Sequence, residues 1–136
     1  MSIWENNIVM ERHSEGKRII TRLNSNQNLI EIGEPGNCRI WTTLAFKIVR
    51  SAFPNTQLEA REVDISEYLQ HTFLKITPIN EEPLLCDGLG QKNILLFFDY
   101  ESEAPKHLQN SRMDILNSYL KFDNSKFRDN IHLLTS

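Results

Sequence analysis

Apolar and polar positions change rhythm along this chain, and the clearest rhythm is helical. Trp41, Leu44, Ala45, Ile48, Val49 and Ala52 recur at spacings of three and four, so they form one stripe on a helix that opens at Cys38 and ends near Phe53, before Pro54. Pro35 and Gly36 break whatever precedes it, and Asn37 is a strong N-cap residue type. Arg39, Thr42, Thr43, Lys47 and Arg50 fall outside the stripe. The pattern predicts a helix packed on a sheet or on other helices, with those five residues turned outward.

Downstream the period shortens to two. Gln57 to Ile65 alternates imperfectly, with Leu58, Ala60, Glu62 and Asp64 on one face and Glu59, Arg61, Val63 and Ile65 on the other. His71 to Thr77 is richer in β-formers and places Leu74 and Ile76 on one side, His71, Phe73 and Lys75 on the other. Asn80-Glu81-Glu82-Pro83 reads as a turn and Leu84 to Asp87 as the returning strand of an antiparallel hairpin. After Gly88-Leu89-Gly90, Ile94 to Tyr100 reads as a further buried strand. Pro105 opens a helix through about Leu120, carried by Leu108, Met113, Ile115, Leu116, Tyr119 and Leu120, and Asp123 to Leu134 reads as a last short helix or a docked tail.

The first third is less regular. Ile3 to Met10 fits a short helix or a strand equally, and Lys17 to Leu23 reads as a helix in preference to a β-branched strand. Asn24 to Asn28 is a polar loop by composition, and Leu29 to Ile32 a short extended piece. Together these elements predict an α+β fold: a helix packed on a small antiparallel sheet, with additional C-terminal helices, in one domain over residues 1–136.

Composition narrows the function classes. The 136 residues are 40% hydrophobic and 24% charged, which is ordinary for a globular protein and enough to bury one core. A net charge of -3, with Lys and Arg scattered rather than banded, gives no electrostatic footprint for nucleic acid. The longest unbroken apolar run, Ile94 to Phe98, is too short to cross a bilayer, so no membrane partner is expected. Met1 to Asn7 has no basic region leading into an apolar stretch, which predicts no Sec signal peptide. The expectation is a cytoplasmic protein whose Cys38 and Cys86 are reduced, or one exported by a route without that signal. Oligomeric state is not readable from the pattern.

Chemistry enters at Cys38. A helix N-terminus presents unpaired N–H groups and the positive end of the macrodipole, so it favours a thiolate and makes Cys38 a candidate nucleophile. His71 and Asp87 follow 33 and 16 residues on, at the start of one strand and the end of the strand that returns beside it. A thiol nucleophile needs a base, and the base needs an acceptor that fixes its tautomer; these three residue types supply all three roles. With the turn at Asn80 to Pro83, His71 and Asp87 are not directly opposite, so either a stagger or bulge intervenes or Asp87 acts from just beyond the strand. If Asp87 faces a cleft, alternation puts Cys86 in the core. The Cys38 backbone N–H is the expected oxyanion donor in preference to Gln27.

His13, His107 and His132 have no partner that the pattern can place, and Asp99 with Glu101 reads as a solvated strand edge. Two cysteines 48 apart without paired histidines exclude a closed zinc ligand set, and Gly88-Leu89-Gly90 lacks the context of a nucleotide loop, so no metal or cofactor is expected.

Gly36-Asn37-Cys38 opening a helix, His71-Thr72-Phe73 opening a strand and Asp87-Gly88-Leu89-Gly90 after a short return strand resemble the papain-like and transglutaminase-like cysteine enzymes, including arylamine N-acetyltransferases. The resemblance covers about residues 30–92. It departs from the transglutaminase pattern in having Phe73 where Trp is usual and Gly88 where Pro commonly follows the Asp. It implies that Cys38 attacks an acyl or amide carbon, His71 forms the ion pair and protonates the leaving group, and Asp87 orients His71. It further implies a protein or peptide substrate, met by a protease, deamidase or transglutaminase type of acyl transfer, in a chain of the size of small bacterial effectors. The alternative is a non-catalytic α+β binding module of immunity, adaptor or chaperone-like type, in which the three residues are coincidental.

Overall fold

The two-residue rhythm pairs into one antiparallel sheet. A computed structural model describes residues 14–91 and 98–117. Strand β1 (Gln57–Ser66) and strand β2 (Leu69–Thr77) form a long hairpin in the register Leu58↔Ile76, Ala60↔Leu74 and Val63↔His71, with an irregularity between Asp64 and Ser66. Strand β3 (Leu84–Cys86) returns along β2 with Leu74↔Cys86 and Ile76↔Leu84, and strand β4 (Phe98–Tyr100) adds outside it. Strand β5 (Arg112–Met113) closes the other side, giving the order β4-β3-β2-β1-β5. The fold is α+β.

Helices α1 (Glu15–Asn24), α2 (Gln27–Glu31) and α3 (Cys38–Ala52) cover one face of this sheet. Ile19, Leu23, Leu29, Trp41, Ala45 and Val49 pack there against Leu74, Ile76, Leu84 and Cys86. Alternation sends the intervening residues to the opposite face, where Val63, Phe73, Leu85 and Ala104 form a smaller cluster. Burying a side chain as large as Leu74 or Ile76 contributes about 1.5–3 kcal/mol, against about 0.2–0.5 for an exposed pair along a helix. Burial therefore fixes where α3 lies, and with it the position of Cys38.

The structure departs from the expected elements in several places. Residues expected as loop and extended chain form α2, because Asn26 caps it by accepting the Leu29 N–H at 2.9 Å. Thr42 and Thr43, expected outside, are buried, since their hydroxyls donate to the Cys38 and Arg39 carbonyls at 2.7 Å and leave no polar group unpaired. Asn37 stands at the N-cap of α3, but its side chain makes no capping hydrogen bond.

Of the helix expected from Pro105 to about Leu120, whose residues 118–120 lie outside the described residues, the first part is the short α5 (Lys106–Gln109), after the turn α4 (Gly88–Gln91) and a 3₁₀ turn at Glu101–Glu103. Beyond it the chain extends into β5, where Arg112 bridges to Glu62 at 2.9 Å and Asp64 at 2.8 Å on β1. Met113 and Ile115, which completed the apparent stripe, are exposed. The expectations for Ile3 to Met10 and for Asp123 to Leu134 lie outside the described residues, as does the first part of the strand expected from Ile94. Among the described residues no helix is long and apolar enough to cross a membrane.

Candidate active site

Strand β3 stops at Cys86, while β2 continues past Thr72 and His71 to Leu69. The first turn of α3 occupies the space beside that uncovered stretch of β2. The Thr72 N–H faces the Cys38 sulfur, and Thr42 Oγ1, one turn into the helix, lies 3.4 Å from the Thr72 carbonyl while donating to the Cys38 carbonyl at 2.7 Å. A main-chain pair that would otherwise extend the β3 ladder is thus turned to the start of α3.

His71 is 8% exposed and sits on the face of β2 shared with Phe73, whose ring is stacked at 6.2 Å. Its Nε2 lies 2.7 Å from Asp87 Oδ2. Continuing the register one pair past Leu74↔Cys86 sets Asp87 opposite Phe73, which makes it a diagonal neighbour of His71 on the same face. Asp87 therefore acts from just beyond the strand. Its second oxygen, Oδ1, accepts the Leu89 N–H at 3.0 Å, so the carboxylate caps the turn that follows it.

Gly88 is what lets the chain turn there. A β-carbon at this position would stand 2.4 Å from Cγ of Trp41, and one at Gly33 would stand 2.4 Å from the Gly88 carbonyl. The backbone after Asp87 lies directly on the Trp41 ring, a contact that no larger residue permits.

With Nε2 engaged by Asp87, Nδ1 is left to face the Cys38 thiol, which lies in hydrogen-bonding reach of the same imidazole. The structure thus brings Cys38, His71 and Asp87 together in that order. Burial pushes the His71 imidazolium down, but its hydrogen bonds to Asp87 and Cys38, with the charges of both, outweigh burial and carry its pKa up to about 9. Burial likewise pushes the Cys38 thiol up. His71, the Thr72 N–H and the Arg39 N–H outweigh it and hold Cys38 below the usual thiol range. The two shifts both run toward a thiolate–imidazolium pair.

The other candidates lie elsewhere. Cys86 is fully buried in the helix-side core, and burial together with the Asp87 charge pushes its thiol up. His107 and Gln27 are exposed on α5 and α2, Glu101 pairs with Lys75 at 3.0 Å, and His13 and His132 lie outside the described residues. Thr72 and Thr42 escaped sequence reasoning. The contact from Thr72 to sulfur is a main-chain N–H, which no residue type announces; a hydroxyl four residues after Cys38 was the one legible sign of Thr42. Comparison with family models, with curated proteins and with solved structures returns no match to this chain.

Proposed function

We propose that the chain is a cysteine-dependent acyl-transfer enzyme of the papain-like or transglutaminase-like kind, acting on a protein or peptide amide through a Cys38 thioester. The observation that carries this reading is the His71 imidazole held between Asp87, at 2.7 Å, and the thiol at the start of α3. Nucleophile, base and orienting acceptor are in contact, and the order of contacts matches the order of proton movements the reaction needs.

In the first half-reaction the Cys38 thiolate attacks the carbonyl carbon. A C–S bond forms, the carbonyl π electrons move to oxygen, and the oxyanion is received at the α3 N-terminus, with the Cys38 N–H as donor. Collapse of the tetrahedral species breaks the C–N bond while His71 gives its proton to the leaving nitrogen. In the second half-reaction water or an amine attacks the thioester, its proton passes to His71, and the C–S bond breaks to return the thiolate. Asp87 stays ionised throughout and keeps the imidazole in the tautomer that both halves use.

Hydrolysis, deamidation and transamidation share these steps, and the choice of acyl acceptor and amide separates them. The test is incubation of the wild type with casein, followed by mass spectrometry for cleavage, ammonia loss or amine incorporation, and for an acyl adduct on Cys38. Cys38→Ala abolishes all four readouts. Labelling of Cys86 by iodoacetamide while Cys38 is spared would overturn the reading.

A further inference from the structure

The segment after β5 is tied to β1 with unusual completeness. Asp114 N–H donates to the Ala60 carbonyl at 2.9 Å, Asn117 Oδ1 accepts the Ala60 N–H at 2.8 Å, and Asn117 Nδ2 donates to the Ala60 and Asp114 carbonyls at 2.8 and 2.7 Å. This anchoring carries the Asp114 carboxylate to a site where it is 1% exposed. Oδ1 accepts Arg39 Nη2 at 3.0 Å and the Leu116 N–H at 2.7 Å, and Oδ2 accepts the Thr72 hydroxyl at 2.6 Å.

Arg39 and Thr72 are the residues immediately after Cys38 and His71. They are also the two residues whose main-chain N–H groups face the Cys38 sulfur. One buried carboxylate, 42 residues from Thr72 and 75 from Arg39 in sequence, therefore holds the side chains of both residues that solvate the thiolate. A buried carboxylate is costly unless fully partnered, and one that breaks is more costly than an apolar residue in its place, so packing alone does not account for this choice.

We propose that Asp114 is a positioning residue of the Cys38 site: its carboxylate fixes the first turn of α3 against β2, and so fixes the Arg39 and Thr72 N–H groups on the sulfur. The proposal rests on Cys38 being the nucleophile. Removing the carboxylate charge releases the Arg39 guanidinium, and removing the Thr72 hydroxyl releases the other arm. Either change loosens the same two contacts, without touching Cys38, His71 or Asp87.

The experiment is iodoacetamide alkylation of the full chain as a function of pH, with the modified peptide mapped to Cys38. It uses the wild type, His71→Ala, Asp114→Asn, Thr72→Val and Thr72→Ser, each also followed by circular dichroism and thermal melting. Asp114→Asn and Thr72→Val raise the alkylation midpoint by about one pH unit, which is about tenfold slower labelling below it, and Thr72→Ser restores the wild-type profile. A role confined to stability lowers the melting temperature and leaves the midpoint in place; that result in both variants overturns the proposal while the reading of Cys38 stands. A wild-type midpoint in the ordinary thiol range, unmoved by His71→Ala, overturns both. Should Asp114→Asn fail to fold, the Thr72→Val and Thr72→Ser pair decides, since a midpoint common to both and to the wild type overturns the proposal.

Discussion

Replacing Asp87 by Asn leaves the side-chain shape at the end of β3 and removes the charge 2.7 Å from His71 Nε2. A hydrogen bond to a charged partner contributes about 1.5–3 kcal/mol, and His71, with its side chain only 10% exposed, is little screened by solvent. At about 1.4 kcal/mol per pH unit, the His71 pKa then falls from about 9 by about one to two units, and burial takes it in the same direction with less opposition. The imidazolium then gives up its proton about one to two pH units sooner, and Cys38 loses part of the cationic support for its thiolate. Iodoacetamide alkylation of Cys38 at pH 7 should fall about ten- to a hundredfold, the same free energy expressed as a ratio. Peptide mapping reports Cys38 apart from Cys86, and an NMR titration of the His71 ring protons reports the cause directly. An Asp87→Asn protein in which His71 still titrates near 9 and the alkylation profile overlays the wild type would refute the reasoning.

The same shift has a consequence for stability whose sign is fixed. The folded-state pKa of His71 lies above its reference value of 6.5, so the folded protein holds that proton more tightly than the unfolded chain does. The stabilisation is complete below pH 6.5 and is lost as pH rises through about 9, with a size of about 3 kcal/mol at most. In urea unfolding the gap between wild type and Asp87→Asn should therefore be widest near pH 6 and close by pH 10. A gap independent of pH would place the stabilisation in something other than the His71 proton.

Amide turnover should trace a bell: rising through the lowered pKa of Cys38 and falling near 9, where His71 no longer has a proton for the leaving nitrogen, as read from initial rates between pH 4 and 11. Gly88→Ala sets a β-carbon 2.4 Å from Trp41, so it should destabilise the fold by about 1–3 kcal/mol in urea unfolding and slow Cys38 alkylation by moving Asp87. Cys86 should resist iodoacetamide in the native protein and label readily in urea, because burial in the fold protects it.

The parts of this fold that were legible in the sequence are those whose side chains obey one period without interference. Leu74 and Ile76 against Phe73 announced both faces of β2, and the Trp41 to Val49 stripe announced α3. Cys38 and Asp87 could be placed because each sits at an element boundary, where local sequence marks the position well, whereas His71, expected to open its strand, lies two residues inside β2. The illegible parts have a common cause: polar groups satisfied by the backbone read as exposed. Thr42 and Thr43 bond the carbonyls four residues back and pass into the core, and Asn26 turns an Asn-rich stretch from loop into cap. Met113 and Ile115 misled in the opposite way, as exposed apolar residues that happened to complete a helical count. Asp114 could not be found at all, since its partners are joined to it only through tertiary structure.

The geometry of the site has one mechanical reference, α3. Cys38 opens that helix, and Trp41, less than one turn on, is the surface against which Gly88 lies. The sulfur on one side of His71 and the carboxylate on the other are therefore both placed by the same rigid body, although they come from chain segments 49 residues apart. Asp87 is held a second time by the Leu89 N–H of its own turn, so its position does not depend on β3 continuing beyond Cys86. The early end of β3 fits this arrangement: a ladder continued to Gly88 opposite Thr72 would occupy the Thr72 main chain that the α3 N-terminus now uses. In this fold a missing pair of strand hydrogen bonds is what makes room for a thiol beside an imidazole.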